Sequence, residues 1–208
     1  MENINSDAGS DNTLVNVTKL TNSQKVELSK YTLSLINSAR SQLGKKPWTY
    51  RSGALRFADR VANQYYTHNK SCWDSDHYVA GILRAAKASG LNSNAGQVYE
   101  DEAGLPISSQ YGSNLRTMSV LKNQIYFNVK QMLFGGFTGS DSQMNDSSRY
   151  TEWEHAGDLL GCRTKNYDAK TKYFGVSFSG LKDDQSKISV HMIGVAKRYI
   201  QNYKKFNH

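Results

Sequence analysis

The chain predicts an α+β domain, with helices packed on a small antiparallel sheet, and three observations carry that prediction. Apolar residues recur at helical spacing through the first part of the chain. From Tyr173 onward they alternate with period two instead. The helical segments thus come first and a strand pair comes last, and such segregation indicates α+β rather than alternating βαβ units. At 208 residues the chain is long enough to bury one sizeable core.

The elements follow in order. Residues 1–19 are polar and show no periodicity, which reads as a lead-in or linker, with a single domain over 20–208. Thr21 and Gln24 match a capping box. Behind it Leu28, Tyr31, Leu35, Ile36, Ala39 and Leu43 line one helix face, until Gly44 and Pro47 stop the helix. A second helix is expected from Ser52, with Leu55, Ala58, Ala62 and Tyr65 on one face. A third runs from Asp76 as N-cap through Val79, Ile82, Leu83 and Ala86 to Gly90. Gln97-Val98-Tyr99 has the composition of a short strand. The fourth helix spans Leu115, Met118, Leu121, Ile125, Val129 and Met132, ending at Gly135-Gly136. Phe137 to Ser148, rich in Gly, Ser, Asp and Asn, reads as an irregular loop. Glu152 to Gly161 reads as a helix end carrying a histidine and acids. Tyr173–Phe178 is a strand, Gly180–Lys187 a polar turn, and Ile188–Ala196 a second strand. The latter half of that strand is apolar on both faces, so it belongs in the middle of the sheet.

Composition excludes several classes. With 38% hydrophobic and 11% aromatic residues the chain has the means to fold. The net charge is +8, but lysines and arginines are scattered, and the one dense cluster is Lys197-Arg198 with Lys204-Lys205. No nucleic-acid module signature accompanies them, so a specific nucleic-acid partner is not expected. A solvated basic surface accounts for the charge; if a polyanion is the partner, a bacterial wall polymer fits as well as a nucleic acid. No apolar run approaches the roughly 20 residues of a membrane span. Met1–Asn12 lacks the basic and apolar regions of a signal peptide, so the chain is either intracellular or without its leader. Gly135-Gly136-Phe137-Thr138-Gly139 lacks the lysine of a phosphate loop, and Ser177 and Ser179 lie outside any Gly-x-Ser-x-Gly motif.

Two clusters have chemical potential. One is Glu152-Trp153-Glu154-His155; the other is Trp73-Asp74-Ser75-Asp76-His77-Tyr78. Glu152 and His155 stand at a spacing that shares a helix face. A carboxylate beside an imidazole fixes its tautomer and raises its basicity, as behind a metal ligand. Two neutral imidazoles meeting in a cleft can hold a zinc-like ion, weakly, since catalytic zinc usually takes three protein ligands. There is no His-Glu-x-x-His motif and no Cys-His cluster of metal spacing. The plainer alternative stands beside this: His155 caps a helix C-terminus, where a cation is favoured, and His77 packs on Tyr78 or Trp73. His191 inside a strand and His208 at the chain end read as structural or incidental.

Four segments now acquire a common meaning: Ala85–Leu91, His155 with Leu159-Leu160, Phe174-Gly175-Val176, and Ile188–Ala196. Their order resembles that of bacterial CAP-superfamily (SCP-like) domains, where a Gly-His-Arg segment leads to an Ile-Gly-Val-Gly strand and a final partner. The Trp-Asp-Ser-Asp-His and Glu-Trp-Glu-His segments resemble, more particularly, the surface-exclusion (PgrA-type) branch of Gram-positive bacteria. The resemblance spans roughly residues 24 to 200 and implies an α-β-α sandwich, secretion, and a cleft with two histidines and two acids. His155 matches the family's central histidine and His77 the upstream one, with His68 a competitor for that role. Glu154 replaces the glycine before the histidine, and the family's Gly-Glu-Asn turn is Gly96-Gln97-Val98, so Glu100 would have to reach in from nearby.

What the resemblance implies is an extracellular or wall-attached domain that recognises a cell-surface or cell-wall component in surface exclusion or adhesion. His77 and His155 would hold a divalent metal such as zinc. Two other classes compete: a wall or peptide hydrolase with His155, Glu152 and Glu100 as its machinery, and a lipid or small-molecule binding module. Because Gln97 cannot exchange protons at neutral pH, robust hydrolysis is not expected. Two cysteines in a secreted chain are normally paired. The meeting of His77 and His155 that the resemblance implies would also bring Cys72 near Cys162, so a bridge between them is expected.

Overall fold

Thr21 does close a capping box: its hydroxyl accepts from Gln24 N at 3.3 Å and the Gln24 side chain accepts from Thr21 N at 2.9 Å. Helix α1, Asn22–Gln42, starts there and ends before Gly44, whose φ of +64° is left-handed. The computed structural model describes residues 9–105, 113–134, 148, 150–163, 170–184 and 186–207. The glycine-rich segment 135–139, the loop through 147 and His208 lie outside the described residues, as does the start of the polar lead-in.

The lead-in is not all linker. Leu14–Asn16 form a strand, β1, and a 3-10 turn follows at Val17–Lys19. Val15 and Val17 are both buried in the core, so packing begins ahead of residue 20. Strand β2 is short, Thr49–Tyr50, and α2 runs Ser52–Thr67 as expected. Helix α3 is Val79–Ala88 and begins later than expected. Asp76 does not cap it; the N-cap position is Tyr78, whose backbone N–H donates to Tyr65 Oη at 2.8 Å. Strand β3 is Glu100–Gly104 rather than 97–99. The Gln97 side chain instead accepts from Tyr99 N and Glu100 N, both at 3.0 Å, and folds that segment into a turn. Leu115–Thr117 is a strand, β4, pairing antiparallel with β1, and α4 is Met118–Leu133, capped by Thr117. Helix α5, Glu154–Leu160, stops at Gly161 with φ +63°. Glu152 precedes it and His155 lies in its first turn, which removes the reading of His155 as a C-terminal cap. Strands β5 (Lys172–Gly180) and β6 (Ile188–Ala196) pair antiparallel over their whole length. A short helix α6, Tyr203–Asn207, closes the described chain.

The main sheet has order β2-β5-β6-β3, antiparallel except for the two-residue parallel pairing of β2 with β5. Every residue of β6 is buried, as a central strand requires. One face carries Leu28, Ile36, Leu121, Ile125 and Leu159 of α1, α4 and α5; the other carries Phe57, Val61, Ile82 and Phe206 of α2, α3 and α6. The result is three layers, α-β-α. Gly175 lets α2 settle directly on β5: a Cβ there would stand 2.5 Å from Leu55 N. No helix among the described residues is long and apolar enough to cross a membrane.

Candidate functional site

Strand alternation puts Glu100 and Glu102 of the edge strand β3 on the same face of the sheet, toward α2. Tyr65 of α2 lies over both, its hydroxyl 2.8 Å from Glu100 Oε2 and 3.0 Å from Glu102 Oε2. Glu100 is the hub. Its Oε1 is 2.6 Å from His191 Nδ1 and its Oε2 is 2.9 Å from His77 Nδ1. His191 Nε2 in turn lies 2.7 Å from Ser179 Oγ on β5. With Nδ1 donating to Glu100, a neutral His191 accepts from the Ser179 hydroxyl. A buried row of hydrogen bonds thus runs across the sheet from β5 to β3 and out to His77.

His77 arrives on the loop between α2 and α3. That loop is pinned to the sheet by Cys72 N, which donates to Ser189 Oγ at 2.9 Å, and by Trp73, whose ring packs on Gly104. His155 arrives from the opposite layer on α5. Its ring Nδ1 is 2.7 Å from Glu152 Oε2, while Glu152 Oε1 accepts from His155 N at 3.3 Å and from Glu154 N. Glu152 therefore caps the helix and braces the ring together. The two rings meet at the β3 edge with centroids 6.3 Å apart and planes inclined 48°. Both remain about a quarter exposed, at 28% and 25% of their side-chain surface. His68 is elsewhere, on the exposed end of α2 against Tyr78 and Arg84.

The electrostatics follow from burial and pairing. Burial raises the Glu100 carboxyl, but the His191 and His77 hydrogen bonds outweigh it and hold Glu100 down at about 2. Burial, then the Glu100 charge, pushes Glu102 up to about 7. Burial acts to lower His77, yet Glu100, Glu102 and Asp76 raise it above its ordinary value. Burial likewise raises Glu152, but His155 holds it below the usual range. The neighbouring carboxyls Glu100 and Glu102 are thus driven in opposite directions.

An imidazole tied at Nδ1 to a carboxylate offers Nε2 to a metal, and both cleft histidines are tied in this way. His77, Glu100 and Glu102 also offer ligand atoms within 4.8 Å of one another, and Glu102 Oε1 is buried without a hydrogen-bond partner among the described residues. These donors, nitrogen and carboxylate oxygen, suit a zinc-like divalent cation.

Glu102, Tyr65 and His191 belong to the cluster and were not expected in it. A strand placed at 97–99 leaves Glu100 and Glu102 beyond its end, with no alternation to orient them. Moved to β3, its alternation points two carboxylates inward. The expected Cys72–Cys162 bridge is absent: both cysteines are free. Cys72 lies against Gly104 at the far end of β3. Cys162 follows α5, which climbs about 1.5 Å per residue away from the cleft until Leu159 O meets Arg40 at 2.7 Å and Gly161 O meets Lys45 at 2.9 Å.

No protein-family model and no curated protein matches the chain. Among solved structures the chain is similar to the CAP domain of Enterococcal PrgA, with a TM-score of 0.68 and 24% sequence identity. The match covers 93% of this chain and 70% of that one. The fold is accordingly CAP-like.

Proposed function

We propose that this CAP-like domain is a secreted or cell-surface recognition module of a Gram-positive bacterium. In this reading His77 and His155 hold an exchangeable divalent cation, and the partner is an anionic cell-wall or surface component. The observation that carries it is the convergence of two imidazoles at 6.3 Å, each braced at Nδ1 by a carboxylate. Two imidazoles leave coordination positions for water or for an anionic group of the partner, which suits contact rather than permanent metal storage. The basic balance of the chain, +8, favours such a partner through long-range attraction. Gln97, where the resemblance leads one to look for a carboxylate, is engaged with the Tyr99 and Glu100 backbone and supplies no proton.

Zinc titration by calorimetry tests the cation site. Wild type should bind about one equivalent, with a dissociation constant near the micromolar range, and His77→Ala and His155→Ala should each abolish the heat. Unchanged binding in both variants would remove the site. Retention on purified Gram-positive cell walls, reduced by salt and by chelator, tests the partner.

A second reading, wall or peptide hydrolysis, draws on the carboxyl pair. Glu100 at about 2 beside Glu102 at about 7 is the separation that acid–base catalysis uses. Release of muropeptides that disappears in Glu152→Gln and Glu102→Gln would establish turnover instead of recognition.

A further inference from the structure

Strand β2 pairs only with Tyr173 and Phe174, so the outer edge of β5 beyond them carries no strand among the described residues. A cavity of about 590 Å³ opens at that edge, between α2, the 3-10 turn at Val17–Lys19, and the end of β5. It lies across the sheet from the histidine cleft, and none of His77, Glu100, Glu102 or His155 lines it. Its floor is built rather than accidental. Ser177 Oγ donates to Asp59 Oδ1 at 2.7 Å, Ser179 Oγ is held by buried His191, and Asp59 Oδ2 meets Lys25 Nζ at 2.7 Å.

The rim is unbalanced in charge. Among the described residues, three lysines, Lys19, Lys25 and Lys182, line the cavity against the single acid Asp59, and Asp59 pairs with Lys25 alone. Lys182 Nζ donates to the neutral carbonyl of Thr67 at 2.7 Å and lies 5.9 Å from the centre of the Tyr66 ring. Neither Lys19 nor Lys182 makes an ion pair among the described residues. Tyr66 leaves 49% of its surface to solvent, and the amide of Asn63 stands one turn before it on α2. An aromatic face, an amide and two ammonium groups without a carboxylate partner among the described residues, set around a polar floor, form a set with one evident complement. The volume suits a small ligand.

We propose that this cavity is a second binding site, independent of the histidine cleft, for an acidic sugar: a polyhydroxylated ring bearing a carboxylate or phosphate. The anionic group sits between Lys19 and Lys182, the ring stacks on Tyr66, and hydroxyls meet Asn63 and the Asp59–Ser177 pair.

Calorimetry on the full chain at low ionic strength decides the matter, with sodium glucuronate and glucose 6-phosphate as probes and glucose and inorganic phosphate as controls. Saturable binding of at least one acidic sugar is expected, near a millimolar dissociation constant, with both controls at least about tenfold weaker. Whichever acidic sugar binds more tightly identifies the anion. Lys19→Ala combined with Lys182→Ala should weaken binding at least about tenfold, whereas Lys204→Ala, equal in charge change, should not. Both rim lysines are exposed, so the variant retains its fold, verified by circular dichroism. His155→Ala should leave sugar binding intact, which separates this site from the cation site. Absence of saturable binding by either acidic sugar overturns the proposal, as does equal binding of phosphate alone, or binding indifferent to the rim lysines.

Discussion

Glu100 shows how one side chain can organise a site. It is fully buried, yet two imidazoles and the Tyr65 hydroxyl surround its oxygens, so the ionised form is favoured. Its folded value of about 2 lies below the 4.5 of an unperturbed glutamate. The depressed value means that the folded protein loses its proton first, so Glu100 contributes stability above pH 4.5, lost as pH falls toward 2. The shift corresponds to about 3 kcal/mol. Glu100→Gln should therefore lower urea stability by about 3 kcal/mol at pH 7 in EDTA, with the difference closing between pH 4.5 and 2. A difference that persists undiminished at pH 2.5 would show that Glu100 matters through shape and not charge. The neighbouring pair Glu152–His155 is looser, being partly open to solvent, and contributes orientation more than stability.

At the scale of elements, α5 is fixed to the sheet by a charged tether distinct from the cleft. Asp158 of α5 receives Lys172 of β5 at 2.6 Å, with Lys172 only 4% exposed, and Arg163 closes from the other side. Burial raises Asp158, but Lys172 and Arg163 outweigh it and keep it ionised. Burial, then the Asp158 charge, pushes the adjacent Asp101 of β3 well up. The folded state thus retains on Asp101 a proton that the unfolded chain releases above pH 3.8, so this group subtracts stability as pH rises past that value. Asp101→Asn, which keeps a donor toward Asp158, should raise the melting temperature more at pH 7 than at pH 4. Asp158→Asn should instead lower stability at pH 7, since it removes the ion-pair partner of buried Lys172 and leaves only Asp101 to answer it. If the two substitutions destabilise equally at pH 7, the assignment of charges within the tether is wrong. By fixing α5, this tether also fixes where His155 meets His77.

For the whole molecule, the two layers approach each other at the β3 edge and nowhere bring the cysteines together. Cys162 is exposed, while burial pushes the Cys72 thiol up to about 12. A thiol reagent should titrate Cys162 in the native protein and Cys72 only after denaturation; finding no free thiol in the unreduced, unfolded chain would restore the bridge. The chain's own local signals carried the fold class and the long elements. Thr21 and Gln24 marked the start of α1, the alternation at Phe174–Phe178 marked β5, and the two-sided apolar run in the latter half of Ile188–Ala196 marked the central strand. Helical and strand periods are local properties, so they are legible without knowing what lies opposite. Strands β1, β2 and β4, of two or three residues, have no period to read; they exist because other segments present matching edges. The candidate site divides along the same line. His77, His155, Glu152 and Glu100 were legible as histidines and acids in unusual company. Glu102, Tyr65 and His191 were not, because an acid in a polar run, a tyrosine on a helix face and a histidine in a strand become a cluster only when β3 pairs with β6 beneath α2. Nor could spacing alone reveal that α5 carries Cys162 away from the place to which it brings His155. Residue identity set which groups were available for chemistry, and tertiary packing decided which of them share a carboxylate, because hydrogen bonding depends on distances across the sheet that sequence separation does not encode.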